Sequence, residues 1–231
     1  MNMQYEVTKL TESVFKFSLF VEQVGLSFNQ FLVMSDGYGA LIETGFKQYF
    51  PLLRPKLEEI CPISHITKIF IPHFEGDEMG ALGEFVAINK DIAVYATPLC
   101  SFSLGDLFDI TVNKAKDKQV IKHGTLKLRT IHVPQVHQWD AMVVLEETTH
   151  TLFSSDMFIQ LGDGQGFADH DVKNEMETAI RKTGYLPSAD YFRKALDKLE
   201  HEKIEIIAPM HGKSINNNVD RYLSFLKGLD I

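Results

Sequence analysis

The chain has little cysteine, a deficit of basic residues and no long apolar run. Its 231 residues include two cysteines, Cys61 and Cys100, and no CxxC pair, so neither a disulfide framework nor a zinc ribbon is expected. The 23 basic residues are outnumbered by 31 acidic ones, and a net charge of −8 argues against a nucleic-acid partner. No apolar stretch approaches the roughly 18 residues of a membrane span, and the first ten residues do not resemble a signal peptide. We therefore expect a cytoplasmic protein with no nucleic-acid and no membrane partner.

The chain does contain a regular succession of strand-like and helix-like segments. Val14–Phe20 alternates apolar and polar residues, which is typical of a half-buried strand. Glu78–Asn89 has apolar residues at helical spacing and is predicted to form one helix, while Asp109–Asn113 is predicted as a strand. Strands and helices mix in both halves, and no linker-like stretch divides residues 1–231. These features predict a single domain, an α/β sandwich of two sheets covered by helices.

The sharpest local motif is His73-x-Glu75-x-Asp77, which follows the apolar strand predicted at Ile66–Ile71. Three ionisable groups beside an apolar strand are costly to bury unless a positive charge lies between them. A metal cation would supply that charge. The alternative is a solvated acidic loop before a helix, because Asp and Glu also favour helix N-termini.

Three further ligand-type residues come directly after predicted strands. His137 follows the strand that ends near Val133, Asp156 follows Ser154-Ser155, and His211 precedes Gly212. Because sites in α/β sheets form beyond the carboxyl ends of strands, residues this far apart in sequence can meet in space. Each also has an ordinary explanation: a loop histidine bonded to a carbonyl, a turn-capping aspartate and a plain turn residue. Their occurrence in this order, with His73 to Asp77, points to one binuclear metal site.

These four segments resemble the metallo-β-lactamase superfamily and, more narrowly, the diiron domain of flavodiiron proteins. The resemblance spans almost the whole chain and rests on HFEGD at 73–77, the segment 134–142, SSDMF at 154–158 and PMHG at 209–212. It implies a metallo-β-lactamase-like αββα sandwich of the α/β (α+β) class, with two mixed sheets flanked by helices. It also implies two iron ions held by His73, Glu75 and His137 on one side, by Asp77 and His211 on the other, and bridged by Asp156.

Four positions of the resemblance carry separate expectations. Glu75 stands where zinc hydrolases of the superfamily have a histidine, and a hard carboxylate favours iron or manganese over zinc. Glu78 replaces the family's usual histidine after the aspartate, and is a metal ligand, a proton relay or only the start of the helix. Tyr185 loosely matches a tyrosine that the family places near its substrate pocket. Trp139 departs from the family's Trp-Pro pattern, and its indole covers the site or packs elsewhere on the surface.

The resemblance also implies a function. Flavodiiron proteins carry a flavodoxin domain that binds FMN, and this sequence contains no Gly-rich or Ser/Thr-rich phosphate loop of that kind. We therefore expect a stand-alone diiron domain without FMN, which binds O₂ at a diferrous site to give a peroxo-diferric species. Such a protein suits oxygen, redox or iron sensing better than rapid oxidoreductase turnover. The resemblance further suggests a homodimer and a signalling partner, such as a chemotaxis protein.

Two other functions stay open from the sequence. One is a binuclear metallohydrolase that activates water on the metal pair, although Glu75 argues against it. The other is an O₂ or NO reductase that receives electrons from a separate flavoprotein. A visible absorption band after O₂ is added to the ferrous protein would argue against the hydrolase. Steady NADH-linked consumption of O₂ or NO would favour the reductase.

Overall fold

The computed structural model describes residues 3–230, and within them two mixed sheets lie between two layers of helices. The seven-stranded sheet has the order β1 (Glu6–Lys9), β2 (Val14–Val21), β3 (Leu26–Ser35), β4 (Tyr38–Ile42), β5 (Ile66–Phe70), β6 (Ala93–Ala96) and β7 (Val112–Lys114). The five-stranded sheet has the order β12 (Ile206–Pro209), β11 (Thr151–Ser155), β10 (Met142–Glu146), β9 (Leu126–His132) and β8 (Val120–His123). The predicted αββα sandwich is confirmed.

The helices fall into two groups, one on each outer face of the sandwich. They are α1 (Phe50–Glu58), α2 (Gly76–Met79), α3 (Leu82–Ile88), α4 (Pro98–Phe108), α5 (Lys173–Thr183), α6 (Ala189–Leu199) and α7 (Val219–Lys227). Neighbouring strands from β4 to β7 are parallel, as are β11 and β12, whereas the other strand pairs are antiparallel. Among residues 3–230, no helix has the length and apolar character needed to span a membrane. The cytoplasmic location stays a prediction.

Three apolar layers hold the sheets and helices together. The layer between the sheets contains Phe31 and Phe153, whose ring centroids are 5.3 Å apart. Leu32, the next residue of β3, faces the opposite way and belongs to the layer beneath α1, α3 and α4. In the same manner Val143 of β10 belongs to the layer beneath α5, α6 and α7. Successive strand residues point to opposite faces, so β3 and β10 each contribute apolar residues to two layers.

The alternating polar residues of β2 are buried, although the sequence pattern predicted that they face solvent. The pattern indicated a half-buried strand, yet Lys16 and Ser18 are buried as completely as Phe17 between them. Lys16 is paired with Phe31 of β3, on the face that meets the second sheet. The polar side chains of β2 therefore lie between the sheets. The prediction was wrong here because the opposing sheet and its loops cover that face.

The helix predicted at Glu78–Asn89 is instead two short helices, α2 and α3. The break occurs because the N–H of Ala81 donates to the carbonyl of Gly45 at 2.8 Å rather than continuing the helix. Gly80 permits this close approach, since a Cβ there would lie 2.3 Å from the Gly76 carbonyl oxygen and 3.1 Å from the Lys47 nitrogen. As a result α2 begins two residues earlier than predicted, and Glu78 lies within it.

The region around α4 also differs from the sequence prediction. Thr97 caps α4 by accepting the N–H of Cys100, and Asp109 ends the helix in the left-handed conformation at φ 53°. The strand predicted to begin at Asp109 therefore begins later, at Val112.

The structure also contains an additional strand, β1, at the other edge of the same sheet. It was not predicted, because two of its four residues are charged. These shifts leave the order of the remaining elements unchanged.

Candidate metal centre

The candidate site lies where the carboxyl ends of β5, β11 and β12 converge. Two backbone hydrogen bonds fix this region: Met142 N–H, at the start of β10, donates to the Pro72 carbonyl after β5 at 2.9 Å, and Met210 N–H after β12 donates to the Ser155 carbonyl at the end of β11 at 3.0 Å. The first of these connects the two sheets directly beside His73. The predicted strand-end residues are thus brought to one edge of the sandwich by the pairing of the strands that precede them.

One side of the site consists of His73, Glu75 and His137. Glu75 Oε2 lies 3.0 Å from His73 Nε2 and 2.9 Å from His137 Nε2. Asp156 Oδ2 completes the group, 3.0 Å from His137 Nε2 and 3.5 Å from His73 Nε2. One donor atom from each of these four residues lies within 4.8 Å of the others. We refer to this group as the His73 side.

The other side is formed by His211 and Asp77, and Asp156 connects it to the first. His211 Nε2 lies 3.1 Å from Asp156 Oδ1 and 3.4 Å from Asp77 Oδ2. The two oxygens of Asp156 therefore face different histidines: Oδ2 faces His73 and His137, while Oδ1 faces His211. We refer to this group as the His211 side. All six residues predicted from the sequence meet at one place.

The donor atoms fit a pair of metal ions. Ligand nitrogens and oxygens about 2.0–2.2 Å from one metal ion are themselves roughly 3–4 Å apart, which is the range observed here. Asp156 Oδ1 is buried and accepts no hydrogen bond of good geometry, although His211 Nε2 is close. A buried carboxylate oxygen in that state is costly unless a cation binds it. Mixed imidazole and carboxylate donors suit iron or manganese at a binuclear site.

The electrostatics of the protein alone show how strongly these groups are coupled. Burial disfavours a charged imidazole at His137, but hydrogen bonds to Asp156 and Glu75 outweigh it and raise the pKa of His137 to about 10. Burial likewise opposes charge on His73, yet Glu78, Glu75 and Asp156 raise the pKa of that imidazole to about 9. The hydrogen bonds from His137 and His73 lower the pKa of Glu75 to about 2. In the metal-free protein, protons on the histidines thus provide the positive charge that metal ions would otherwise supply.

Glu78 contacts the site from behind His73. Its Oε1 accepts a 2.7 Å hydrogen bond from Ser155 Oγ and lies 3.5 Å from His73 Nδ1, while Oε2 is buried and has no hydrogen-bond partner. Ser155 Oγ is also 3.2 Å from His73 Nδ1. His73 Nε2 faces the metal position, so Glu78 and Ser155 orient the opposite edge of the ring. This arrangement favours a supporting role over direct ligation for Glu78.

Glu43 is a neighbour of the site that sequence reasoning missed. It follows β4, is fully buried, and neither carboxylate oxygen has a hydrogen-bond partner. Burial, together with the charges of Asp156 and Asp77, raises the pKa of Glu43 well above its ordinary value. The signal was present, because β4 is parallel to β5 and Glu43 follows its carboxyl end as His73 follows that of β5. Ser155 was missed for a different reason, since a serine at a strand end is too common to attract attention.

Tyr185 and Trp139 differ in their relation to the site. The Tyr185 hydroxyl donates to the Asp156 carbonyl at 2.9 Å, and its ring lies edge-on to His137 with centroids 5.6 Å apart. Tyr185 thus packs against the His73 side, and its match to the family's tyrosine near the substrate pocket stays a prediction. Trp139 is 65% exposed and lies on the surface. The adjacent Asp140 is structural, because its carboxylate accepts the N–H of Phe74 at 3.1 Å.

Comparison with known proteins places the site in a family. The family described as ODP family beta lactamase matches residues 26–212, which include all six candidate ligands. The putative diflavin flavoprotein A 1 of Thermosynechococcus vestitus is 23% identical over 219 residues, covering 88% of this chain and 37% of that protein. The chain spans no more than half the length of the curated relatives it matches.

Solved structures show the same fold. A single-residue mutant of the flavo di-iron protein of Thermotoga maritima superposes with a TM-score of 0.87 at 20% identity, covering 97% of this chain and 61% of that one. Rubredoxin oxygen:oxidoreductase of Desulfovibrio gigas gives a TM-score of 0.85 at 20% identity, covering 96% and 61%. The sandwich is therefore metallo-β-lactamase-like, as the resemblance implied. With the match over residues 26–212, the chain belongs to the ODP beta lactamase family.

Proposed function

We propose that this chain binds two iron ions at the centre formed by the His73 side and the His211 side, and that the reduced pair binds O₂. The observation that carries the proposal is that the two carboxylate oxygens of Asp156 face different histidines. Oδ2 lies 3.0 Å from His137 Nε2, and Oδ1 lies 3.1 Å from His211 Nε2. A carboxylate placed in this way can bridge two cations. Iron supplies the electrons for O₂ chemistry when it is bound, and the protein supplies the donors and the enclosure.

The roles of the residues follow from their contacts. His73, Glu75 and His137 would hold one iron, and Asp77 and His211 the other. Ser155 and Glu78 fix the His73 ring, and the Ser27 carbonyl accepts from His211 Nδ1 at 2.8 Å, which leaves each Nε2 free to bind metal. Burial of His73 and His211 excludes water from the inner part of the site.

A role in oxygen, redox or iron sensing, in preference to rapid turnover, stays an expectation drawn from the resemblance. A second candidate, an O₂ or NO reductase, is favoured by the names of relatives such as rubredoxin oxygen:oxidoreductase. That function would need a separate electron donor. A homodimer and a chemotaxis partner stay predictions of the resemblance.

The test is an anaerobic titration of the metal-free protein with Fe²⁺, followed by exposure to O₂ and measured by absorbance. We expect two iron ions per chain and a visible band after O₂ is added. A protein that takes up zinc and no iron when purified without O₂ would overturn the proposal and favour a metallohydrolase. Sustained O₂ or NO consumption in the presence of NADH and a flavoprotein reductase would favour the reductase over the sensor.

A further inference from the structure

Lys16 is a fully buried lysine whose partners are backbone carbonyls. It lies on the face of β2 that meets the second sheet, and its Nζ donates to the carbonyl oxygens of Gly164 at 2.5 Å and Gly212 at 2.9 Å. It forms no ion pair with any carboxylate of residues 3–230. A buried lysine without a carboxylate partner is uncommon, because an ammonium group is costly to remove from water. The two carbonyls therefore indicate what the side chain is there to contact.

Both carbonyls belong to segments that surround His211. Gly212 directly follows this histidine, and its carbonyl also accepts the Asn29 amide at 2.9 Å. Gly164 N–H donates to Ser27 Oγ at 2.5 Å, while the Ser27 carbonyl accepts from His211 Nδ1 at 2.8 Å. Lys16 thus closes a ring of contacts that runs through Gly164, Ser27 and the His211 turn.

The two glycine segments touch each other where the amine binds. A Cβ at Gly164 would lie 2.8 Å from the Gly212 carbonyl oxygen and 2.8 Å from Ser27 Cβ. Gly212 has φ +103°, and a Cβ there would lie 2.5 Å from Gln160 Cβ. Both turns are therefore tightly packed, and their carbonyls converge on one donor. Burial lowers the pKa of Lys16 to about 7, and the charged and the neutral amine both carry the two N–H groups that this contact needs.

We propose that Lys16 is a positioning residue for the His211 side, holding the His211–Gly212 turn so that His211 Nε2 stays directed at Asp156 and Asp77. The proposal rests on the binuclear centre proposed above. Removing the amine would leave the Gly164 and Gly212 carbonyls without their lysine donor and loosen the turn. Residues that orient a metal-binding histidine contribute about 10–100-fold to metal affinity. We expect that loss to be confined to one of the two metals, because Lys16 makes no hydrogen bond to the His73 side.

The test compares Lys16→Met with the unchanged protein in an anaerobic titration of the metal-free forms with Co²⁺, measured by its visible absorption. The unchanged protein should bind two ions. Lys16→Met should bind one ion normally and the other about 10–100-fold more weakly. Lys9→Met, which changes a half-exposed lysine of the neighbouring strand, is the matched control and should leave both affinities unchanged.

The outcomes separate this inference from the proposed function. If the unchanged protein binds fewer than two ions, the binuclear centre itself is wrong. If it binds two and Lys16→Met binds both with normal affinity, the positioning role is wrong. A merely structural role would weaken both ions together, so an equal loss at both sites would also overturn the inference.

A second variant tests the same contact with Lys16 intact. Gly164→Ala places a methyl group against the Gly212 carbonyl and Ser27, and should push the His211 turn away from the amine. It should weaken one of the two Co²⁺ ions selectively, with thermal unfolding of the metal-free variant confirming that it is folded. Normal binding of both ions by a folded Gly164→Ala protein would contradict the proposed role of this contact.

Discussion

The two sides of the centre are built from similar donors but are enclosed to very different degrees. On the His73 side, the side chain of Glu75 is 41% exposed and that of His137 is 18% exposed. On the His211 side, the corresponding values are 5% for His211 and 12% for Asp77. A metal bound near Glu75 would therefore be the one that solvent and small ligands can approach. A metal bound near His211 would be enclosed by turns that pack backbone against backbone.

The largest expected effect comes from removing the residue that both sides share. Asp156→Asn keeps the shape of the side chain but loses the bridging charge, so the affinity for both metals should fall by more than the about 10–100-fold typical of an outer partner. Titration with Fe²⁺ under anaerobic conditions measures this effect. Unchanged binding of two ions would show that Asp156 does not bridge them.

A difference in metal release should follow from the difference in exposure. A chelator added to the loaded protein should remove the metal ions in two phases, with the His73-side ion leaving first. His211→Gln, which deletes a donor of the enclosed side, should abolish the slow phase and leave the fast one. The measurement is stopped-flow absorbance of the chelator complex, and a single phase in the unchanged protein would contradict the asymmetry.

Ser155→Ala should affect the His73 side alone. The hydroxyl donates to buried Glu78 and contacts His73 Nδ1, and leaving a buried carboxylate oxygen without its donor costs about 1–3 kcal/mol. We expect lower thermal stability and weaker binding of one metal, with the His211 side unchanged. Ser154→Ala is the matched control, since the adjacent buried hydroxyl has no hydrogen-bond partner.

The stability of the metal-free protein should depend on pH in a direction set by the histidines. His73 and His137 have folded-state pKa values of about 9 and about 10, above the ordinary 6.5. Their contribution to stability is therefore fully present below pH 6.5 and is lost as pH rises toward 10. Lys16 acts in the opposite direction, because its folded-state pKa of about 7 lies below the ordinary 10.5. The contribution of the histidines by itself should lower the melting temperature over this range by more than about 2–4 °C, the shift that 1 kcal/mol produces in a protein of this size.

Metal binding should reverse this trend, because bound ions replace the protons and favour higher pH. Scanning calorimetry of metal-free and loaded protein at pH 6.5 and pH 10 measures both slopes. In the metal-free form, the melting temperature of the His137→Gln variant should fall less between pH 6.5 and pH 10 than that of the unchanged protein. A His137→Gln variant whose melting temperature depends on pH in the same way as that of the unchanged protein would contradict the assignment of a protonated His137.

The smallest effect on stability and metal binding is expected at Trp139, which lies on the surface two residues after His137. Because this side chain is 65% exposed, Trp139→Ala should change stability by no more than about 0.5 kcal/mol and leave both metal affinities intact. Chemical denaturation and Co²⁺ titration measure these quantities. A weakened metal on the His73 side alone would instead indicate that the indole covers that side.

The sequence predicted the candidate donors better than it predicted the elements that carry them. The six residues could be found because each follows an apolar strand, and ends of parallel strands collect at one edge. The break at Gly80 could not be found, because a distant carbonyl at Gly45 causes it. Glu43 was overlooked although it obeys the same strand-end rule, since a lone glutamate after a hairpin is ordinary by itself.

The buried face of β2 shows most clearly where local pattern stops being informative. Alternation at Val14–Phe20 describes which side chains share a face, but it does not state what covers that face. Lys16 and Ser18 read as solvent-facing, and a second sheet with its loops lies over them instead. A lysine that binds two carbonyls from residues 164 and 212 cannot be recognised from its neighbours in the chain.

The type of donor at each strand end, and the order of those donors along the chain, can be read from the amino-acid sequence because they depend on local segments alone. How the donors are shared depends on the folded chain: Asp156 faces histidines on both sides, Glu75 stays open to solvent, and His211 is enclosed. These outcomes depend on how two sheets pack face to face and bring together residues more than a hundred positions apart. Packing between distant segments is set by the whole core, so no single segment encodes it.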